Sequence, residues 1–129
     1  MKTTTVAALT ALPAPPHVPT TRLGAERGVY RVSASVTLVR HEADDDFHLV
    51  LQDGTHHMIA ETPAPGCTGG ATALRRKQMA RTRAAARICS KAIVTGVLFF
   101  DFDHGQTGVA PNAVELHPVL GFRCLAPSP

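Results

Sequence analysis

A chain of 129 residues with 44% apolar content supports one domain with a modest core, and it holds no run near the ~18 apolar residues that suggest a membrane-spanning helix. Tryptophan is absent and tyrosine occurs once, which argues against an aromatic-rich binding surface. The net charge of +3 conceals a segregation: no acidic residue lies between Glu61 and Asp101, where Arg75, Arg76, Lys77, Arg81, Arg83, Arg87 and Lys91 all fall, while acids gather at Glu42 to Asp46 and Asp101 to Asp103. A basic element is thereby offered to anionic partners.

The first residues, MKTTTVAALTALPAPP, carry one lysine and a short apolar run, a thin version of a secretory leader. With their prolines, threonines and lack of apolar period, residues 1–27 read as a disordered tail or weak signal-like leader, and the cytoplasm is favoured over export. The ordered domain is expected over 28–125, with 126–129 a short tail. In GVYRVSASVTLVRH, Val32, Ala34, Val36 and Leu38 alternate with polar residues, predicting a half-buried strand. EADDD breaks that pattern as a charged turn, and FHLVLQD is a second strand closed by Asp53-Gly54, a strong hairpin signal. THHMIAE is the third strand, ended by two prolines that cannot join a ladder.

The segment from Cys67 to Ser90 is rich in Ala and Arg and predicts a helix capped by Thr72, with Ala80, Ala84 and Ile88 recurring on one face. KAIVTGVLFFDF is a β-branched and aromatic strand with a bulge or bend expected at Gly96. After the loop DHGQTGVAPN, AVELHPVLGF is the last strand, and Pro118 suggests an edge or bulged position. The odd cysteine count without CxxC spacing excludes a zinc ribbon and allows one disulfide at most. Cys67 with Cys89 or Cys124 is one possibility; three buried or free thiols is the other.

The resulting order, β-β-β-α-β-β, is that of the OB-fold, a five-stranded Greek-key barrel in the all-β class with one helix. A five-stranded open α+β sheet is the competing architecture, but closure removes the exposed edges of so small a sheet. The blocks DDDFHLVLQDG, MIAETPAPGC and VTGVLFFDFDHGQTGVAPNAVELHPVL together resemble a group of small, mostly uncharacterised bacterial proteins. The resemblance spans roughly residues 30 to 122 and implies an OB-like barrel; it carries over no activity.

Three places could hold chemistry. Glu115 and His117, two apart, leave the last strand on one face. In the OB topology the third strand neighbours both the second and the fifth, so Glu61 can approach that pair with His48 one strand further on. His48, Glu61, Glu115 and His117 thus form a candidate divalent-metal set, and an open coordination position there could activate water. The same residues could equally form a hydrogen-bonded network that holds strands in register. Asp44, Asp45 and Asp46 offer oxygen ligands for Ca²⁺ or Mg²⁺ but lack calcium-loop spacing, and Asp101, Asp103 and His104 could join them in space. His56-His57 places one imidazole on each face of its strand. Cys89, expected at the helix end, could be a nucleophile only with a base nearby, and spacing identifies none.

Arg75, Arg76, Lys77, Arg81, Arg83 and Arg87 form the third candidate, a phosphate-contacting helix. The leading expectation is a non-enzymatic OB-like binding module for an anionic partner, nucleic acid first. The alternatives are a metal-binding or metal-dependent hydrolytic protein using the His/Glu cluster, and a structural or interaction domain.

Overall fold

The computed structural model describes residues 1–14, 28–67 and 70–128. Eight principal elements follow in chain order: β1 (Lys2–Thr3), α1 (Val6–Thr10), β2 (Val29–His41), β3 (Phe47–Asp53), β4 (His56–Thr62), α2 (Ala73–Ala85), β5 (Cys89–Phe100) and β6 (Val114–Pro127). The sheet runs β1-β2-β3-β4-β6-β5 and closes through an antiparallel β2–β5 pairing. β4 and β6 are parallel; β2–β3, β3–β4 and β5–β6 are antiparallel. Strands β2 to β6 are therefore a closed five-stranded barrel of the OB type, and no edge among them is left open.

Alternation puts the barrel's contents in place. Val32, Ala34 and Val36 of β2, Leu49 and Leu51 of β3, Met58 and Ala60 of β4, Val94 and Leu98 of β5 and Val114 and Leu116 of β6 share one core. Leu38 departs from the expected phase. A register shift between Val36 and Leu38 inserts a residue, so Val39 packs against the core instead and Leu38 is only partly covered. The Asp53-Gly54 hairpin forms as expected, with Gly54 at φ 61°.

Residues 1–12 correct the tail expectation, while 15–27 lie outside the described residues. β1 pairs in parallel with β2 at Lys2↔Tyr30 and Thr3↔Arg31. Thr5 caps α1 by accepting a bond from the Ala8 amide at 3.0 Å, and Val6 and Leu9 enter the core. The buried Asn112 amide donates to the Leu9 and Leu12 carbonyls at 2.9 and 3.1 Å, while its oxygen accepts from the Val114 amide at 3.2 Å. A five-residue helix shows too little period to be read, yet two apolar residues three apart suffice to plug the barrel.

Thr72 caps α2 through the Arg75 amide at 3.2 Å. The buried residues of α2 are Met79 and Thr82; Ala80 and Ala84, expected to share a face with Ile88, are exposed, and Ile88 lies exposed beyond the helix. Thr82 decides this orientation, because its hydroxyl donates to the Val119 carbonyl of β6 at 3.0 Å. β6 extends to Pro127, past the expected limit at 125. Pro118 does not sit at an edge, since β6 lies between β4 and β5; it follows a cis peptide in a shifted stretch facing Gly96. A Cβ on Gly96 would stand 2.9 Å from both the Leu116 Cβ and the Pro118 carbonyl, so only glycine fits there. Cys89 opens β5 rather than ending the helix, and it is joined to Cys124 across a Cα separation of 6.0 Å. That pairing replaces those expected for Cys67 and removes Cys89 as a nucleophile.

Candidate functional site: an acidic histidine cleft and a basic helix

Residues whose side chains do not enter the barrel face outward. On β3 and β4 these include the paired His48 and Glu61, and also Val50, Ile59 and His57. On β6 they include Glu115, paired with Ile59 of β4, and His117. The loop 101–113 lies across this outer face. His48 Nε2–H donates to the Thr107 carbonyl at 2.8 Å, and His57 Nδ1–H donates to the Gly108 carbonyl at 3.0 Å. Gly108, at φ 82°, rests so closely on Val50 that a Cβ would come within 2.5 Å of Val50 Cγ2. The loop thereby covers Val50 on the outside of the barrel, where Ile59 is also buried.

The opposite wall is the turn between β2 and β3. The Asp45 amide donates to the Glu42 carbonyl at 3.0 Å, and Asp45 itself adopts φ 71°. Asp44 accepts from the Asp46 amide at 3.1 Å, and Asp46 Oδ1 accepts from the Ala64 amide at 2.7 Å. Asp45 pairs with His41 and with Arg83, whose guanidinium approaches at 3.2 Å. All three acids help to build the turn, and Asp44 and Asp45 remain exposed to solvent while doing so.

Between the walls is a cleft of about 390 Å³. Glu42 and Asp44 line one side, Asp101 and His104 the other, and His48, Glu61 and Glu115 the floor. Asp101 and His104 thus meet the acidic turn in space, while Asp103 accepts the Gly105 amide within its own loop. Glu61 stands between two imidazoles: Oε1 is 3.8 Å from His48 Nδ1 and Oε2 is 3.4 Å from His117 Nδ1. His48 Nδ1 is also 3.5 Å from Glu42, and His117 Nδ1 is 3.7 Å from Glu115. His48, Glu61, Glu115 and His117, singled out by strand parity, stand together. Asp46 was not placed with them, yet Asp46, Glu61 and His117 each present a ligand atom within 4.8 Å of the other two.

The charges perturb one another. Glu61 raises the His48 pKa above 6.5 against the opposing effect of burial, with help from the Thr107 carbonyl and Glu42. Burial raises Glu115 above 4.5, more than His117 lowers it. For His117, burial disfavours the cation, but Glu115 and Glu61 together outweigh it and the pKa is raised. His48, Glu115 and His117 each hold their proton more tightly than the free side chain does.

The basic helix has the opposite character. Arg76, Lys77 and Arg81 are exposed on α2 and Arg75 is half-buried; Arg87, expected on the helix, is exposed beyond its end at Ala85. Arg76 donates to the Ala71 carbonyl at 2.8 Å across the first turn. Arg83 differs from the rest: besides pairing with Asp45 it donates to the Asp45 carbonyl at 2.7 Å and lies 4.2 Å over the Phe47 ring. It ties α2 to the acidic turn and is withdrawn from any surface role. A further basic patch lies on β2, β5 and β6, where Arg31, Phe122 and Arg123 line a groove of about 330 Å³.

No protein-family model matches the chain. No curated protein matches it. Its fold is similar to parts of solved structures. The asparaginyl-tRNA synthetase of Entamoeba histolytica superposes with a TM-score of 0.54 at 13% identity, covering 98% of this chain and 24% of that one. The asparaginyl-tRNA synthetase of Pyrococcus horikoshii complexed with asparaginyl-adenylate gives 0.52 at 15% identity, covering 81% and 20%. An OBody bound to hen egg-white lysozyme gives 0.56 at 11% identity, covering 81% of this chain and 85% of that one. The chain therefore spans about a quarter or less of those two synthetase chains, and the likeness establishes the barrel. Among the described residues no helix is long and apolar enough to cross a membrane.

Proposed function

We propose that this chain is a non-enzymatic OB-like binding module whose partner is a nucleic acid or a closely similar polyanion, engaged by α2. The observation that carries this reading is the solvent-facing set Arg76, Lys77 and Arg81 on a helix without a single acid, with the exposed Arg87 two residues past its end. Phosphates attracted to such a surface release counterions, giving sequence-independent and salt-sensitive affinity. The tRNA synthetases among the structural neighbours support a nucleic-acid partner.

OB barrels commonly bind oligonucleotides on the face of their second and third strands and the adjoining loops. Here those strands are β3 and β4, covered by the loop at Gly108 and bordered by Glu42, Asp44, Glu61 and Asp101. Phosphates are repelled there, so the polyanion is directed to the helix instead. The Cys89–Cys124 disulfide supports an oxidising compartment as the setting, against the cytoplasm favoured by the weak leader.

Binding of a labelled single-stranded oligonucleotide, measured by fluorescence anisotropy against salt, tests the reading. Three phosphate contacts give a log–log slope of about −2. The double variant Lys77→Glu, Arg81→Glu is expected to weaken binding and flatten that slope, while Glu61→Gln leaves both unchanged. Absence of binding at low ionic strength overturns the proposal. Loss in Arg31→Glu, Arg123→Glu with α2 variants unaffected moves the interface to the sheet and overturns the role of the helix.

A further inference from the structure

We propose that Asp46, Glu61 and His117 form a binding site for one divalent transition-metal ion of the zinc, manganese or iron class. This goes beyond the polyanion reading, uses none of the α2 cations and stands or falls without it. The three donors come from separate elements, the turn before β3, the end of β4 and the first part of β6, and their ligand atoms lie within 4.8 Å of one another. Ligands on a common ion at bond lengths near 2.1 Å are separated by ~3–4 Å, so small side-chain adjustments close the set. One imidazole nitrogen with two carboxylate oxygens suits Zn²⁺, Mn²⁺ or Fe²⁺ better than an all-oxygen cation such as Ca²⁺.

The donors are also held. Asp46 Oδ1 accepts the Ala64 amide at 2.7 Å, which restrains the carboxylate. Glu61 is anchored by its strand register opposite His48, and His117 by its ring against Phe99 at 5.7 Å.

A buried carboxylate stands beside the set. The Glu115 side chain is 3% exposed, lines the same cleft as Glu61 and lies 3.7 Å from His117 Nδ1. Buried carboxylates ordinarily gather donors or a counter-charge. A divalent ion among Asp46, Glu61 and His117 supplies that charge to the cleft.

The test is equilibrium dialysis and titration calorimetry of the full-length chain with Zn²⁺ and Mn²⁺ alone, and Ca²⁺ as comparison. The expected result is about one equivalent of Zn²⁺ or Mn²⁺, weakened at least ~10-fold in Asp46→Asn, Glu61→Gln and His117→Ala and unchanged in His56→Ala. His56 is an exposed histidine at the start of β4. Circular dichroism and melting of each variant separate lost binding from lost folding. The first two substitutions are isosteric and decide the matter if His117→Ala does not fold. Binding well below one equivalent, or undiminished in folded Asp46→Asn and Glu61→Gln, overturns the site. A failure here leaves the oligonucleotide experiment untouched, and the reverse also holds.

Discussion

In the cleft, Glu42, Glu61, Asp101 and Glu115 line the same pocket as His48 within walls made by two loops, whereas on α2 the cations Arg76, Lys77 and Arg81 face water. The two regions differ in construction as much as in sign. The helix needs only local sequence: a capped run of good helix formers carries its charges wherever it packs. The cleft needs β3, β4, β6 and both loops at once, and its groups change one another's protonation. Charge that is exposed and local offers a surface for long-range attraction; charge that is buried and converging makes a site with geometry.

The sharpest way to break the contrast is to lift the loop that covers the cleft. Gly108→Ala forces an alanine into φ 82° and drives its Cβ against Val50. We expect a loss of about 3 kcal/mol in chemical denaturation, combining left-handed strain with overpacking. A loss under ~0.5 kcal/mol would show that the loop does not rest on the barrel in solution.

Arg83 joins the two regions, and Arg83→Ala separates them. Asp45 is largely exposed, so the ion pair itself contributes little. The hydrogen bond to the Asp45 carbonyl and the packing over Phe47 bring the expected cost to about 1–2 kcal/mol. Oligonucleotide affinity should change much less than in the Lys77, Arg81 double variant. Equal effects would place Arg83 in the interface after all.

Titration gives the smallest effect. His48, His117 and Glu115 all bind protons more tightly in the folded chain, because each pKa is raised there. Folding therefore takes up protons, and stability falls as pH rises: from near 4.5 upward for Glu115, and from near 6.5 upward for the histidines, in each case through the raised value. Melting temperature in a metal-free buffer should decline between ~pH 6 and ~pH 9, and Glu61→Gln should flatten that decline. A melting temperature that climbs across this interval contradicts the protonation assigned to the cleft.

Much of this was legible from parity and punctuation. Glu115 and His117 share a face because residues two apart in a strand must, and Glu61 meets them because the third barrel strand adjoins the fifth. Asp46 escaped because its partners are 15 and 71 positions away, and a triple-aspartate turn shows nothing of which acid faces β4. The clamps from His48 and His57 to Thr107 and Gly108 were equally hidden. Each spans more than 50 residues and ends on a backbone carbonyl, which has no sequence signature.

By itself the sequence determined the order of the barrel elements from β2 to β6, the Asp53-Gly54 hairpin, the Thr72 cap and the alternation that fills the barrel, because these depend on contacts within a few residues. The third dimension decided the rest. It phased Val39 inward after a bulge and drew Val6 and Leu9 into the core. It turned α2 onto Met79 and Thr82, paired Cys89 with Cys124 and closed Asp46 onto Glu61 and His117. Such contacts join segments far apart in the chain, and barrel closure, rather than local preference, selects which of them can form.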